Sequence, residues 1–527
     1  MIKENKKDNL YKIVFDKETI IADDCIYIIK NLSWNDFSFK IQSTFIIYNN
    51  NAKIIEGDIL FHQINSDNQK GYPEFFSMLP TLEDYRNLMK KFGKYETKRI
   101  LISLNDLVAL RYYPNSPIWI DSIENLDIFK LAFMRSHTQF FTYHNAGDII
   151  EGLDKETSDY ISNNLQLTFS INKYNNNHFF DFKFDNKSIL PKNINIIIGK
   201  NGTGKSQTLN NIVKCLTSGN KNLIDPTNNY SRPVINRLLA IATPGETKST
   251  FPRENKRNKI MYKRLLISRD ATKQNSRGIG SLLIQLLRNN DVILNKKRYQ
   301  IFFEAINVLE LNDLIIPAKK EDIYCNTIMV DKKPYMHINS LITTSEQRSL
   351  EIFGNIPNNI VPYHYNKTTN RIYPLSSGEI TFFLFALQAT LFIENGTLVL
   401  LDEPETHLHP NLIIDFIKIL ENLLTGTGSY AIIATHSVYF ARELPRSQIH
   451  VLKEINEEII INTPRLKTFG ANVNSLSYFV FEDDTTNKMI NKYKDILTPE
   501  VISELEEELS TEVIMKLRHL YNKEKTL

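Results

Sequence analysis

The stretch that most limits how this chain can fold is INIIIGKNGTGKS, Ile194–Ser206. An apolar, β-branched run enters a glycine turn, and a Lys-Ser pair opens the helical pattern SQTLNNIVKCL. It fits G-x-x-x-x-G-K-[ST] at Gly199, Gly204, Lys205 and Ser206. The glycines let consecutive main-chain N–H groups curl around phosphate oxygens, and the helix N-terminus adds partial positive charge. The expected nucleotide-binding set is Gly199, Lys200, Asn201, Gly202, Thr203, Gly204, Lys205, Ser206 and Gln207. Lys205 is expected to reach the β- and γ-phosphates of ATP, and the Ser206 hydroxyl to ligate Mg²⁺.

Two later apolar runs, GTLVLLDE and YAIIATHS, have the length and flanks of buried strands in a parallel sheet. Between them, Leu412, Phe416, Leu420 and Leu423 recur at helical spacing, as a crossover helix requires. The first run ends in Asp402-Glu403, which places two carboxylates at the carboxyl edge of the sheet. Asp402 is the expected Mg²⁺ residue and Glu403 the expected general base. His436 closes the second run. Ser376, Ser377, Gly378 and Glu379, in YPLSSGEI, open a strongly apolar helix and leave N–H groups for an anion. Taken singly, the acidic pair reads as a strand end, the serines as a helix cap and His436 as a satisfied core histidine. Their order behind a phosphate loop favours the functional reading of each.

The elements before and after differ in character. Residues 1–164 read as strands first (YKIVF, CIYIIK, AKIIEGDILF) and then as helices near TLEDYRNLMKKF, a β-rich α+β domain without an assignable motif. Residues 165–465 read as the nucleotide-binding α/β domain, with an insertion at about 224–360 that begins polar and basic and continues helical. The rest, 466–527, reads as a mainly helical tail opening on a Thr498 cap at LTPEVISELEEEL. A chain of 527 residues accommodates such a division. Its net charge of +3 argues against a strongly basic nucleic-acid coat but leaves room for a local patch, and Arg253, Lys256, Arg257, Lys259, Lys263 and Arg264 form a candidate. Cys25, Cys215 and Cys325 lack metal-ligand spacing and suit a reducing compartment. No signal peptide is expected, and the longest apolar run, Ile380–Ile393, is too short to span a bilayer, so a cytoplasmic protein without a membrane is expected.

LSSGE before the Asp-Glu strand resembles the signature loop of ABC-type ATPases, and His436 stands where that superfamily has its γ-phosphate histidine. ABC transporter subunits follow the Asp-Glu pair with PTSALD-like residues; here the chain reads DEPETHLHP, Asp402–Pro410. That departure resembles the RecF-like and OLD-like branch of ATPases, and within it the PtuA ATPases of bacterial Septu anti-phage systems, which some retrons carry. KTFGANVNSL at 467–476 agrees, so the resemblance spans about 165–480. It implies an ABC-type P-loop ATPase with ATP and Mg²⁺. It also implies a homodimer or higher even oligomer, in which Ser376, Ser377, Gly378 and Glu379 of one copy cap the nucleotide on Lys205 of another. His407 then falls in a dimer-contact loop, the i, i+2 spacing of His407 and His409 is not read as a metal site, and Gln274 is the candidate Mg²⁺-sensing glutamine.

The same resemblance implies a separate HNH-type nuclease partner, PtuB-like. OLD proteins carry a Toprim nuclease of roughly a hundred residues after the ATPase, and none is expected in the 91 residues that follow His436 here. Phe479–Asp484, FVFEDD, reads as a helix cap rather than a nuclease strand. A retron version would also meet a reverse transcriptase and its RNA–DNA product, with nucleic acid as a further partner. The alternative is a RecF/SMC-like DNA-repair ATPase without a nuclease partner. A transporter subunit is disfavoured by ETHLHP and by the long N-terminal extension.

Overall fold

In the computed structural model, the described residues are 11–15, 25–31, 40–49, 52–64, 73–111, 119–124, 126–151, 161–228, 231–242, 250–255, 258–266, 278–289, 292–307, 314–321, 326–342, 346–357, 359–407 and 409–481, with isolated positions besides, some of them beyond 500. The N-terminal part forms one sheet from β1 (Lys12–Phe15), β2 (Cys25–Lys30), β3 (Gln42–Asn49), β4 (Ala52–Gln63) and β5 (Phe75–Met78), in that order. Helix α1 (Leu82–Ser103) follows, capped by a Thr81–Asp84 capping box and kinked at Gly93, whose φ is 71°. Further along, Phe129–Phe133 forms one π-helical turn.

A three-stranded sheet joins β6 (Asn164–Ser170), β7 (Asn177–Lys183) and, after the phosphate-loop element, β9 (Leu223–Ile224). The central sheet runs through β8 (Ile194–Gly199), followed by α2 (Lys205–Ser218), and then β10 (Arg237–Ala242) and β11 (Met261–Leu266). Next come α3 (Ile279–Arg288), the hairpin β12 (Val292–Ile293) and β13 (Lys296–Lys297), and α4 (Arg298–Asn307). A second five-stranded sheet is built from β14 (Leu314–Pro317), β15 (Thr327–Val330), β16 (Lys333–His337), β17 (Tyr363–Asn366) and β18 (Arg371–Pro374). Helix α5 (Ser377–Phe392) leads into β19 (Thr397–Asp402), α6 (Pro410–Thr427), β20 (Tyr430–Thr435), β21 (Ile449–Ile455), β22 (Glu458–Asn462) and α7 (Val473–Phe481).

The central sheet has the order β11-β10-β19-β20-β8-β21-β22 and is parallel except for β21–β22. Its interior strands are apolar on both faces because both faces are covered. Ile196, Ile198, Val399, Leu401 and Ile433 point into the core beneath α5 and α6. Ile197, Leu398, Leu400 and Ile432 point the other way, into a core shared with α2 and with Ile28, Phe45, Phe61 and Phe76 of the N-terminal sheet. The N-terminal part therefore packs on the central sheet through continuous apolar contact. Helix α5 is buried on every side from Thr381 to Leu391, which explains an apolar run without a polar face.

Two features depart from the sequence-based expectation of an insertion at 224–360. β10 and β11 lie within that span yet belong to the central sheet, and β14–β16 begin a sheet where helices were expected. RLLAIA and MYKRLL are short runs embedded in polar and basic sequence, which hides their burial. The Thr498 cap, Gln274, Lys256, Arg257 and Cys325 lie outside the described residues. Among the described residues no helix is long and apolar enough to cross a membrane.

Candidate functional site

The turn between β8 and α2 is shaped by glycine. Gly204 has φ 98°, and a Cβ there would stand 2.6 Å from Ile171 Cδ1. Only glycine meets both demands. Thr203 donates its hydroxyl to Lys200 O at 2.8 Å, and the Lys205 ammonium donates to Gly199 O at 3.0 Å and Lys200 O at 3.2 Å. Lys205 is thus held inside the curl of the loop, while Lys200, Asn201, Gly202 and Gln207 face solvent. Tyr174 and His178, from the β6–β7 hairpin, back this loop. Tyr174 donates to Gly202 O at 2.9 Å, and the His178 ring lies 3.4 Å from Thr203 O.

Strand register brings the acidic residues to the same edge. Asp402 pairs with Ala434 and with Ala242, and Thr435 pairs with Ile198, one residue before the glycine loop. Ser206 donates its hydroxyl to Asp402 Oδ1 at 3.0 Å, and buried Thr250 donates to Oδ2 at 2.7 Å. The Asp402 carboxylate is therefore fixed in one orientation beside the loop. Glu403 follows with φ 44°, an uncommon conformation for a glutamate. It is held there by Glu403 N donating to Ala434 O at 2.8 Å and by the Thr406 hydroxyl donating to Glu403 O at 2.8 Å. Strain of this kind persists only where neighbours over-determine it.

His436 completes the edge. Its Nδ1 lies 3.5 Å from Glu403 Oε1 and 3.3 Å from Glu405 Oε1, with the ring half exposed. Glu405 accepts from Thr435 Oγ1 at 2.5 Å and from His436 N at 2.9 Å. Burial raises the Glu405 pKa, against the opposing pull of those hydrogen bonds and of His436.

At the start of α5, Ser376 and Glu379 form a capping box. Glu379 accepts from Ser376 N at 2.7 Å and meets His364 Nε2 of β17 at 3.0 Å. Burial works against this carboxylate, but the Ser376 hydroxyl and amide and His364 keep its pKa below the ordinary value. Gly378 packs so tightly that a Cβ would come 2.4 Å from Leu412 Cδ1 of α6. The side chains of Ser376 and Glu379 thus cap the helix and engage the Glu379 and Ser376 amides.

Residues 194–442 match the family model AAA_21, described as an AAA domain of AbiEii-toxin type from a type IV TA system. The match gives residues 194–442 an AAA-type ATPase domain. The chain is also 26% identical to protein ea59 of Escherichia phage lambda, over 86% of each chain. Two solved structures align loosely. The SMC head domain from Thermotoga maritima gives a TM-score of 0.28 at 12% identity, covering 58% of this chain and 99% of that one. The cbiO1 subunit of an ABC transporter complex from Clostridium perfringens gives 0.28 at 13%, covering 63% and 96%.

Within the ATPase domain, the structure brings Lys205, Ser206, Asp402, Glu403 and His436 to one sheet edge. The turn 376–379 makes its own contacts with His364 and Leu412, and Gln274 lies outside the described residues. His407 ends the turn Pro404–His407. Of the basic run, Lys263 pairs with Glu254 at 3.2 Å, and the Arg264 guanidinium donates to Phe251 O at 3.2 Å. Among the described residues no group of three or more His, Cys, Asp or Glu side chains gathers as a metal cluster. Thr250, Glu405, Tyr174 and His178 were not foreseen. Glu405 stands in the quoted DEPETHLHP, where a third acid so close to the sheet edge was the available signal.

Proposed function

We propose that this chain binds and hydrolyses MgATP at the β8–α2 loop and that the nucleotide joins two copies of the chain. The observation that carries the reading is the Ser206–Asp402 hydrogen bond of 3.0 Å, made across the edge where Glu403 and His436 also stand. A hydroxyl and a fixed carboxylate are the donor set that magnesium takes beside a triphosphate. Ser206 and Asp402 would hold the ion, which when bound supplies positive charge against the β- and γ-phosphate oxygens. The loop amides and Lys205 bind the phosphates, and Glu403 orients the attacking water and accepts its proton. Ser377 and the Gly378 main chain of a second copy close over the γ-phosphate, so that bound triphosphate stabilises the joined state.

The finer reading is a subunit of an anti-phage defence complex of the Septu kind, controlling an HNH-type nuclease in a separate chain. Support comes from DEPETHLHP and KTFGANVNSL, and from the toxin–antitoxin wording of the matched family. A retron setting, with reverse transcriptase and RNA–DNA product, is an extension of the same reading. Light scattering with ATP tests the dimer: Glu403→Gln should double in mass, and Lys205→Ala should not. Equal masses with and without ATP would overturn it. Co-expression with an HNH protein tests the partner, with co-purification and partner-dependent toxicity expected. Tight ATP-dependent clamping on duplex DNA without such a partner would favour the RecF/SMC-like alternative.

A further inference from the structure

Glu405 stands two residues beyond the proposed general base and is nearly buried, at 8% exposure. A carboxylate in that setting is costly unless it is used or well paired. Its Oε1 accepts from the Thr435 hydroxyl at 2.5 Å and from the His436 amide at 2.9 Å, while the Ser437 amide donates to the same Thr435 hydroxyl at 2.9 Å. The main chain before, at and after His436 is therefore tied, directly or through Thr435, to one oxygen. The His436 Nδ1 lies 3.3 Å from that oxygen and 3.5 Å from Glu403. Glu405 Oε2 is buried without a hydrogen-bond partner, and the hydrogen bonds of Oε1 to other residues go to the histidine turn.

Resting on the ATPase reading above, we propose that Glu405 is the positioning residue of His436. Its Oε1 fixes the turn and accepts a hydrogen bond from Nδ1–H, which sets the ring's tautomer and leaves Glu403 free for the attacking water. The hydrogen bond at one ring nitrogen decides which proton state the other presents. Two acids close to one imidazole then divide the labour: the buried one orients, and the half-buried Glu403 does the proton transfer. A purely structural Glu405, one that only seals the end of β20, would make no such distinction between the fold and the histidine.

The test uses the full chain as wild type, Glu405→Ala, Glu405→Gln, His436→Ala and the double alanine variant. Steady-state ATP hydrolysis is measured together with equilibrium binding of a fluorescent ATP analogue and ¹⁵N-histidine spectra of the imidazoles. Glu405→Ala should lower kcat by about 10-fold or more with KM within about 3-fold of wild type. The double variant should be no slower than His436→Ala by more than about 2-fold, because the two residues act as a unit. Glu405→Gln keeps an acceptor oxygen and should recover most of the loss, and it also guards against a misfolded alanine variant. Multiplying effects, or a glutamine variant as slow as the alanine one, would overturn the proposal. Should the wild type neither bind nor hydrolyse ATP, the ATPase reading falls, and the spectra still decide this inference. The Nδ1–H signature of His436 should be present in wild type, lost in Glu405→Ala and restored in Glu405→Gln; a spectrum unchanged by Glu405→Ala would refute it.

Discussion

Ser206 and Asp402, 196 positions apart in sequence, share a hydrogen bond of 3.0 Å, and Thr250 holds the other carboxylate oxygen at 2.7 Å. The metal-binding role proposed for Asp402 depends on that fixed orientation. Asp402→Asn should weaken the Mg²⁺-dependent part of ATP binding by about 10-fold or more while leaving binding in EDTA little changed. Titration of a fluorescent ATP analogue with and without Mg²⁺ measures both. Thr250→Val should act in the same direction and also lower thermal stability by about 1–3 kcal/mol, since a buried carboxylate loses a donor.

Gly204 combines φ 98° with a Cβ position 2.6 Å from Ile171 Cδ1. Gly204→Ala should cost about 1–3 kcal/mol of stability and distort the loop amides. Loss of ATP binding with a modest fall in Tm is the expected result of a binding titration paired with a thermal melt.

Buried Arg298 ties the end of α5 to the rest of the chain. Its guanidinium donates to Thr390 O at 2.8 Å and Ile393 O at 2.6 Å, and it pairs with Glu394, which Arg86 of the N-terminal part also meets at 3.1 Å. Burial alone would raise the Glu394 pKa, but Arg298, Arg237 and Arg86 outweigh it and hold the group below its ordinary value of 4.5. Stability from this pairing is therefore present above the ordinary value and lost as pH falls through the lowered one. Arg298→Met should cost about 3–5 kcal/mol near neutral pH. Chemical denaturation across pH should show the difference from wild type shrinking in acid.

The phosphate loop, the Asp-Glu strand and His436 were legible because their chemistry demands neighbouring residues in fixed order. Strands β8, β19 and β20 were legible too, since each is one continuous apolar run. Thr250 was not: it stands 152 positions before Asp402 and meets it only in the folded chain. Tyr174 and His178 likewise reach the loop from a separate hairpin, through contacts that leave no periodicity. Sequence also separates the N-terminal part at 164, whereas Phe45, Phe61 and Phe76 share one core with Ile197 and Ile432. Strand patterning identifies which side chains are apolar, and not which sheet they will cover.

Tyr85 and Asp106 make a buried pair in the N-terminal part, the phenol donating to Asp106 Oδ2 at 2.8 Å. Burial pushes Asp106 up to about 6 from 3.8, against its hydrogen bonds. The folded state thus binds this proton more tightly, and the group makes stability fall as pH rises between those two values. Tyr85→Phe removes a donor that matters most to the ionised carboxylate. It should cost about 1–3 kcal/mol above that window and less below it, as read by denaturation at both ends.

The most direct test of a P-loop ATPase at this sheet edge is single-turnover hydrolysis of MgATP by wild type, Lys205→Ala and Glu403→Gln, with bound nucleotide measured in parallel. Wild type should bind and hydrolyse, Lys205→Ala should fail to bind, and Glu403→Gln should bind normally while hydrolysing about 100-fold or more slowly. Wild-type affinity in Lys205→Ala, or a wild-type rate in Glu403→Gln, would contradict it.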